Sequence, residues 1–225
     1  TGRLIARHLL EHTEAAVTLA TRHVDQAQAF AETLNQAYPG VRAAAMYAHA
    51  AEAASLRAVF QDHALVVVAA PTTAYVENVA YAALETGVDY LDVQLSAKKL
   101  AVLQSLAGEI ERAGRMFITE AGFHPGLPSA LVHYASVHLD TIESAITAGY
   151  LNMGKDLPYT EAVDELIESF KDYQGQVLKN SQWTKPGSWE LRKIDFGGDI
   201  GAKLCYAMFF EELRPLLGIH GHIHE

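Results

Sequence analysis

Over about the first 122 residues, short apolar segments alternate regularly with amphipathic ones, and no other feature restricts the fold as strongly. The apolar segments, which we expect to be strands, are 15–21, 41–46, 64–70, 88–93 and 115–119. The amphipathic segments, which carry apolar residues at helical spacing, are 2–12, the stretch from Asp25 to Pro39, 52–60, 75–85 and 98–112. Strands that alternate with helices through short connections predict a parallel sheet covered on both faces, the doubly wound α/β fold.

The alternation is lost in the second half of the chain. The pattern there predicts a helix at 128–138, a strand at 142–151, a helix at 160–170 and hairpin-like segments at 175–179 and 189–196. Mixed strands and helices in so short a stretch are typical of a small α+β domain. We therefore expect two domains, residues 1–124 with the parallel sheet and residues 125–225 as a smaller and incomplete α+β domain.

Charge and cysteine content argue against several classes of protein. The net charge is −10, whereas a chain that neutralises nucleic-acid phosphates normally carries a basic patch. Cys205 is the only cysteine, so neither an intrachain disulfide nor a cysteine-based zinc site can form. The longest apolar run, 64–71, is far shorter than the roughly 20 residues that cross a bilayer. We expect a cytoplasmic protein without nucleic-acid or membrane partners.

Candidate ligand-binding residues lie at the ends of the expected strands, where open α/β sheets bind their ligands. Gly2 opens the first helix and leaves the helix N-terminus accessible to a phosphate, although a simple helix cap is the alternative. Dinucleotide-binding sheets place an acid for NAD or an arginine for NADP about 20 residues later. The chain has Arg22 there and no acid, which favours NADP over NAD, and a solvated surface arginine is the other interpretation.

Two further strand ends carry candidates. Ala70 and Pro71 follow the most apolar strand, where small residues let a cofactor lie against the backbone, and the threonines after them are expected to cap the next helix. Asp92 and Gln94 end the next strand and, by its period of two, are expected to face the same side. A carboxylate there can position a substrate amine or orient a water molecule, whereas a turn or cap role for Asp92 is equally compatible with the sequence.

The most distinctive segment is EAGFHPGLPS, residues 120–129. Its two glycines and two prolines predict a tight, rigid turn between a strand and a helix, with Pro128 in the first helical turn. His124 lies within this turn. Because histidine exchanges protons near neutral pH, His124 is a candidate acid, base or hydrogen-bond donor, and a structural histidine in a crowded turn is the alternative.

The chain resembles the saccharopine dehydrogenase-like family of the saccharopine reductase type. The stretches that carry the resemblance are TGRLIARHLLEH, AVTLATR, VVVAAPTTAYVENVAYAALETGVDYLDV and EAGFHPGLPSALV, within residues 1–132. It implies a Rossmann-like domain that binds NADP or NAD, and hydride transfer at a C–N bond of an amino-acid-like substrate. It also implies that Gly2 is the last glycine of a GxxGxxG loop, so that the natural chain is expected to extend upstream by a strand and two more glycines. Relatives often carry an acidic residue where His124 stands.

The resemblance assigns roles to the candidates. It implies a smaller second domain that binds substrate or dimerises, a small-molecule substrate and a homodimer. The residues expected to contact the cofactor are Gly2, Arg22, Ala70 and Pro71. The residues expected near the nicotinamide, as catalytic candidates, are Asp92, Gln94 and His124.

Functions of other classes are compatible with parts of the sequence. A non-catalytic dinucleotide-binding sensor or scaffold has no sequence feature against it. His220, His222 and His224 alternate at the C-terminus in a spacing that can bind zinc or nickel, although incidental histidines are the preferred interpretation and no metal site is expected. A metal-dependent hydrolase would need a carboxylate pattern such as HExxH, which the chain lacks. Trp183 and Trp189 flank a hairpin-like turn and are expected to be packing residues rather than a pocket lining.

Overall fold

The computed structural model describes residues 1–152, 163–164, 167, 175–187 and 190–225. The chain forms two compact units, Thr1–Thr119 and Glu120–Glu225. The helix expected at 160–170 lies largely outside the described residues, and Trp189 lies outside them altogether. Among the helices of the described ranges, none has the length and apolar character needed to cross a membrane.

The first unit follows the expected alternation of strands and helices. Its strands are β1 (Val17–Thr21), β2 (Ala43–Tyr47), β3 (Leu65–Val68), β4 (Asp89–Asp92) and β5 (Phe117–Ile118). Its helices are α1 (Gly2–His12), α2 (Val24–Ala37), α3 (Ala53–Phe60), α4 (Val76–Thr86), α5 (Ala97–Ser105) and α6 (Ala107–Arg112). A short 3-10 turn, Thr73–Tyr75, precedes α4.

The strands of the first unit pair in parallel. β1 pairs with β2, and the other three strands pair in the order β3-β4-β5. His63 precedes β3 and hydrogen-bonds through Nε2 to Oγ1 of Thr18, near the start of β1, at 2.8 Å. This contact brings the amino ends of β1 and β3 together. The predicted α/β fold with a Rossmann-like parallel sheet is confirmed.

Apolar residues at helical spacing hold the helices against the strands. Ala6 and Leu10 of α1 pack with Ala31 and Leu34 of α2 in one buried cluster. Spacings of three and four place each pair on one face of its helix. A second cluster joins α3, α4, α5 and β4. Gly87 ends α4 in the left-handed conformation at φ 69°, which glycine adopts without steric cost.

The single helix expected at 98–112 is divided in the structure. Leu106 separates α5 from α6, with φ −89° and ψ −1°. Its backbone N–H is shared between the carbonyls of Val102 and Leu103, and the hydroxyl of Ser105 also donates to Val102 O at 2.6 Å. A serine that hydrogen-bonds to its own helix backbone competes with the helical pattern, which gives the break a local cause.

The second unit combines helices with antiparallel hairpins. Its described residues include the helices α7 (Leu127–Ser136) and α8 (Leu216–Ile219) and a 3-10 turn at Glu211–Leu213. Its strands are β6 (Val177–Lys179), β7 (Gln182–Thr184), β8 (Leu191–Asp195) and β9 (Ala202–Tyr206). β6 pairs with β7 and β8 with β9. The segments predicted to be hairpin-like supply β6 and β8.

The strand expected at 142–151 is absent from the structure, which describes this stretch without regular secondary structure. Ile142 instead packs into a buried cluster with Val132 and Leu216. Short backbone contacts join the stretch to the C-terminus, where Ala145 N donates to Glu225 O at 2.9 Å. Ile142 therefore serves the packing of α7 and α8 rather than a ladder, and the large apolar residues Ile146, Tyr150 and Leu151 are exposed.

Candidate functional site

The carboxyl ends of the parallel strands form the candidate cofactor site of the first unit. The strands are paired in register, with Thr21 opposite Tyr47 and Val68 opposite Asp92. The residues that follow each strand therefore lie level with those that follow its neighbour. Three of the four residues expected to bind the cofactor, Arg22, Ala70 and Pro71, follow such strand ends.

Gly2 is the first residue of α1 and lies beside the end of β3. A Cβ built on Gly2 would stand 3.6 Å from the Cβ of Ala69, which is an ordinary van der Waals separation. The first turn of α1 thus lies next to the loop that follows β3, and an α-helix leaves backbone N–H groups at its N-terminus without partners of its own. An anion at this helix terminus would also be near the backbone of Ala70.

Arg22 follows β1 directly and is exposed. It lies near Tyr47, the last residue of β2. Partial burial and the hydrogen bond that the Tyr47 hydroxyl donates to Glu52 (3.1 Å) raise the pKa of Tyr47, and the positive charge of Arg22 acts in the opposite direction. A guanidinium in this place offers a planar fork of N–H donors to a phosphate.

Gln94 connects the ends of two strands. Its side-chain Nε2 donates to the carbonyl oxygen of Ala70 at 2.5 Å, across from β4 to the loop after β3. The hydroxyl of Thr72 also donates to Ala70 O, at 3.3 Å, and makes no capping bond to the 3-10 turn that follows. Of the two threonines expected to cap the helix, Thr72 does not do so, because its hydroxyl bonds backwards along the loop. The carbonyl of Ala70 is held in place by both groups.

Asp92 lies at the end of β4 with no exposed surface. Its Oδ1 accepts from Nζ of Lys99 at 2.5 Å and from the backbone N–H of Gln94 at 3.0 Å. Its Oδ2 accepts from the hydroxyls of Tyr90 and Thr119, each at 2.8 Å. These contacts make the carboxylate a buried junction between β4, β5 and α5, and a direct catalytic role for Asp92 stays a prediction.

Lys99 is the residue of this network that the sequence reasoning missed. Its side chain is fully buried, and Nζ also donates to the carbonyl oxygen of Gln94 at 2.5 Å. Lys99 stands four and seven residues before Leu103 and Leu106, which are both buried. A lysine on the apolar stripe of a helix is a signal that could have identified it, because lysine is rarely fully buried without a partner.

The turn that carries His124 is closed by its own backbone, as expected. Gly122 N donates to Pro125 O at 2.9 Å and Leu127 N donates to Gly122 O at 3.0 Å. Gly126 has φ 122°, and a Cβ there would stand 2.5 Å from the carbonyl oxygen of Glu120. Only glycine fits this position, since other residues would meet both the strained φ and the backbone.

His124 stands on the exposed side of this turn in the second unit. Its ring stacks on Phe210 with centroids 5.4 Å apart and meets Phe123 edge-on at 4.5 Å. Its Nε2 lies against the backbone of Gly149, where a Cβ would stand 2.5 Å away. The imidazole is thus oriented by packing and retains exposed surface, as a proton donor or acceptor requires.

A second polar contact of this unit lies five residues beyond His124. The hydroxyl of Ser129 donates to Oε2 of Glu212 at 2.8 Å, across 83 positions of the sequence. Oε1 of Glu212 and Nε1 of Trp183 are buried without a hydrogen-bond partner among the described residues. Sequence reasoning missed Glu212 because no periodic pattern connects it to Ser129. Trp183 packs edge-on against Phe209 at 5.0 Å, in line with the packing role expected for it.

The C-terminal histidines do not form the group that their spacing allows. Across the described ranges, no set of three or more histidine, cysteine, aspartate or glutamate side chains lies close enough to hold a metal ion. Nδ1 of His224 hydrogen-bonds to the carbonyl oxygen of His222 at 3.3 Å, and His220 instead meets His133 of α7. The segment that precedes His220, Leu216–Ile219, is helical. The prediction that the three histidines point to one side assumed an extended chain, which this segment is not.

Comparison with known proteins identifies the family. A family model described as the saccharopine dehydrogenase NADP-binding domain matches residues 1–118, more than half of the chain. No curated protein matches the chain. The solved structure of apo histidine-tagged saccharopine dehydrogenase (L-Glu forming) from Saccharomyces cerevisiae is similar in fold, with a TM-score of 0.65 and 18% sequence identity. That match covers 99% of this chain and 50% of the other, so the present chain spans half the length of that protein.

The family match also bears on the cofactor. The matched domain is an NADP-binding one and includes Gly2, Arg22, Ala70 and Pro71, so the expected cofactor, NADP, is confirmed. The described residues fit such a group, because they offer an exposed guanidinium after β1 and an open helix N-terminus beside the end of β3. Both the fold and the family model agree with the resemblance found in the sequence. The chain therefore belongs to the saccharopine dehydrogenase family, and residues 1–118 form its NADP-binding domain.

Proposed function

We propose that the protein is an NADP-dependent oxidoreductase that transfers a hydride at a C–N bond of an amino-acid-like substrate. The observation that carries the proposal is the exposed guanidinium of Arg22 directly after β1, within a family domain that binds NADP. Membership of the saccharopine dehydrogenase family, for which the sequence resemblance implies chemistry at a C–N bond, supports the substrate class. A homodimer in the cytoplasm is part of the same proposal.

The cofactor supplies or accepts the hydride when it is bound, so the protein has to bind and orient rather than carry the redox chemistry. The first turn of α1 at Gly2 receives the phosphates, and Arg22 binds the 2′-phosphate of the ribose. The backbone of Ala70 and Pro71 provides a surface on which the cofactor lies. Gln94 keeps that surface fixed, because its amide bonds Ala70 O at 2.5 Å.

His124 is proposed to move the proton that accompanies hydride transfer. Its ring is held by Phe210 and retains exposed surface, which allows it to hydrogen-bond a substrate nitrogen. Asp92 is proposed to act indirectly, by holding the ends of the strands around the site in place. Four groups already donate hydrogen bonds to its carboxylate oxygens. Under this proposal His124→Gln lowers kcat and leaves the affinity for NADPH unchanged.

The test is cofactor binding followed by turnover. Titration of the full-length protein with NADPH and with NADH, followed by the fluorescence of the reduced nicotinamide, should show clearly tighter binding of NADPH. A screen of amino acids and their N-substituted adducts with NADP, read at 340 nm, should then find an oxidised substrate. Equal and weak binding of the two cofactors would overturn the NADP proposal.

A non-catalytic dinucleotide-binding sensor or scaffold is the alternative. The observation in its favour is that the side chains of Asp92 and Gln94, two of the three catalytic candidates, make structural hydrogen bonds in the first unit. The same screen separates the two functions. Tight NADPH binding with no turnover of any adduct, and no effect of His124→Gln, would favour the scaffold.

A further inference from the structure

Two histidines from distant parts of the second unit meet at its surface. Nε2 of His220, directly after α8, lies 3.3 Å from Nδ1 of His133 on α7. The two ring centres are 5.2 Å apart and the ring planes are inclined at 46°. His133 is exposed and His220 is half-buried, so small ions can reach both nitrogens.

The core beneath holds this pair in place. Val132, the neighbour of His133, and Leu216, four residues before His220, belong to one buried apolar cluster. The backbone N–H of His220 donates to Leu216 O at 2.8 Å, and Ile223 N donates back to His220 O at 3.0 Å. The approach of the two rings therefore follows from packing of α7 against α8 and does not depend on the contact between the rings.

The separations restrict how the two rings are oriented. A straight hydrogen bond between imidazoles with nitrogens this far apart would hold the ring centres about 5.6 Å from each other. The observed 5.2 Å is shorter, so the axis from centre to nitrogen of at least one ring is turned away from the line between the nitrogens. With both axes turned equally toward the same side, a modest rotation of exposed rings, they meet about 2.0 Å beyond each nitrogen, at an angle of about 110°.

A point placed in this way has the geometry of a metal site. Zinc binds histidine nitrogen at about 2.0–2.1 Å with tetrahedral angles. We propose that His133 and His220 form a two-histidine zinc site, with water in the remaining positions, that clamps the C-terminal segment onto α7. The site is separate from the residues to which the proposed function assigns roles.

Zinc is favoured over an anion or an organic ligand by the chemistry of the two donors. A neutral imidazole offers one nitrogen lone pair, and two imidazole nitrogens 3.3 Å apart suit a borderline metal cation bound between them. The described part of the chain adds no third side-chain ligand, so the site is an open one that exchanges its metal. Because the metal binds the folded unit and bridges two helices, it raises the free energy of unfolding as its concentration rises above the Kd.

The experiment titrates the full-length protein with ZnCl2 by calorimetry and follows its Tm. The wild type should bind one zinc ion per chain and gain in Tm, and His133→Gln and His220→Gln should each weaken binding by about tenfold or more. His138→Gln, a histidine just beyond α7, and His222→Gln, in the terminal tract, should leave both readouts unchanged.

X-ray absorption of the zinc-loaded wild type provides a measurement that needs no variant. It should show two imidazole ligands at about 2.0 Å. Absence of stoichiometric zinc binding would overturn the proposal, as would equal binding by wild type and both variants. Loss of binding in His222→Gln, or three or more imidazoles in the spectrum, would assign zinc to the terminal histidine tract instead.

Discussion

Nζ of Lys99 lies 2.5 Å from Oδ1 of Asp92, and neither side chain has surface in contact with solvent. The pair fastens α5 to the end of β4, at the edge of the sheet where the cofactor is proposed to bind. Taking two charges out of water is costly, and the hydrogen bonds from Tyr90 and Thr119 to the same carboxylate offset part of that cost.

Removal of one partner of this pair should be strongly destabilising. Lys99→Met leaves the Asp92 carboxylate buried without its counter-charge, and we expect the free energy of unfolding to fall by about 3–5 kcal/mol. Urea denaturation followed by circular dichroism measures the change. Lys98→Met, at the exposed neighbouring position, should change it by less than about 0.5 kcal/mol. Equal midpoints for the two variants would show that the buried pair contributes nothing.

Tyr90 should make the protein sensitive to alkali. Burial first, and then the charge and hydrogen bond of Asp92, raise the pKa of Tyr90 far above its usual value. A raised pKa means that the stabilising contribution is complete below the tyrosine pKa of the unfolded chain, about 10, and is lost as the pH rises beyond it. Unfolding free energies measured from pH 8 to 11 should therefore decline above pH 10. The decline should be smaller in Tyr90→Phe and unchanged in Tyr81→Phe, whose ring is partly exposed.

Arg22 should set the preference between the two cofactors. Arg22→Ala removes the guanidinium proposed to bind the 2′-phosphate, so the Kd for NADPH should rise about tenfold or more, while the Kd for NADH stays the same. Fluorescence titration measures both constants. Arg112→Ala, at an exposed arginine of α6, is the matched control. A parallel loss of affinity for both cofactors would indicate that Arg22 supports the fold or the pyrophosphate instead.

Gly126 should tolerate no side chain. Gly126→Ala would place a Cβ 2.5 Å from Glu120 O in a residue with φ 122°, and we expect a loss of at least about 2 kcal/mol of stability. Gly218→Ala, in α8 with open space around it, is the control in the same unit and should be tolerated. Thermal denaturation compares the two. A Gly126→Ala protein as stable as the control would show that the turn can rearrange.

The local features of the first unit were predictable because they rest on short-range rules. The spacing of apolar residues located α1, α2, α3 and α4, and the apolar runs located all five strands to within a few residues. Gly87 marked the end of α4, since a glycine there relieves the strain of the left-handed conformation. The turn at 120–129 was equally clear, because its glycines and prolines restrict φ directly.

The same rules failed where a local sequence pattern is compatible with more than one tertiary environment. The alternating apolar residues at 142–151 suited a strand, and Ile142 in fact packs against α7 and α8 without a ladder partner. Thr72 suited a helix cap, and its hydroxyl bonds Ala70 O instead. In both cases the sequence indicated the kind of interaction, apolar packing for Ile142 and a hydroxyl hydrogen bond for Thr72. The fold decided the partner.

The sequence by itself determined the fold class, the order of elements in the first unit and the family, because periodicity and turn chemistry act over a few neighbouring residues. Only the tertiary structure decided that Asp92 is a buried partner of Lys99, that Ser129 bonds Glu212 and that His133 meets His220. The last two contacts join residues more than 80 positions apart. Packing of the buried clusters brings such residues together, and their spacing along the chain does not predict these contacts.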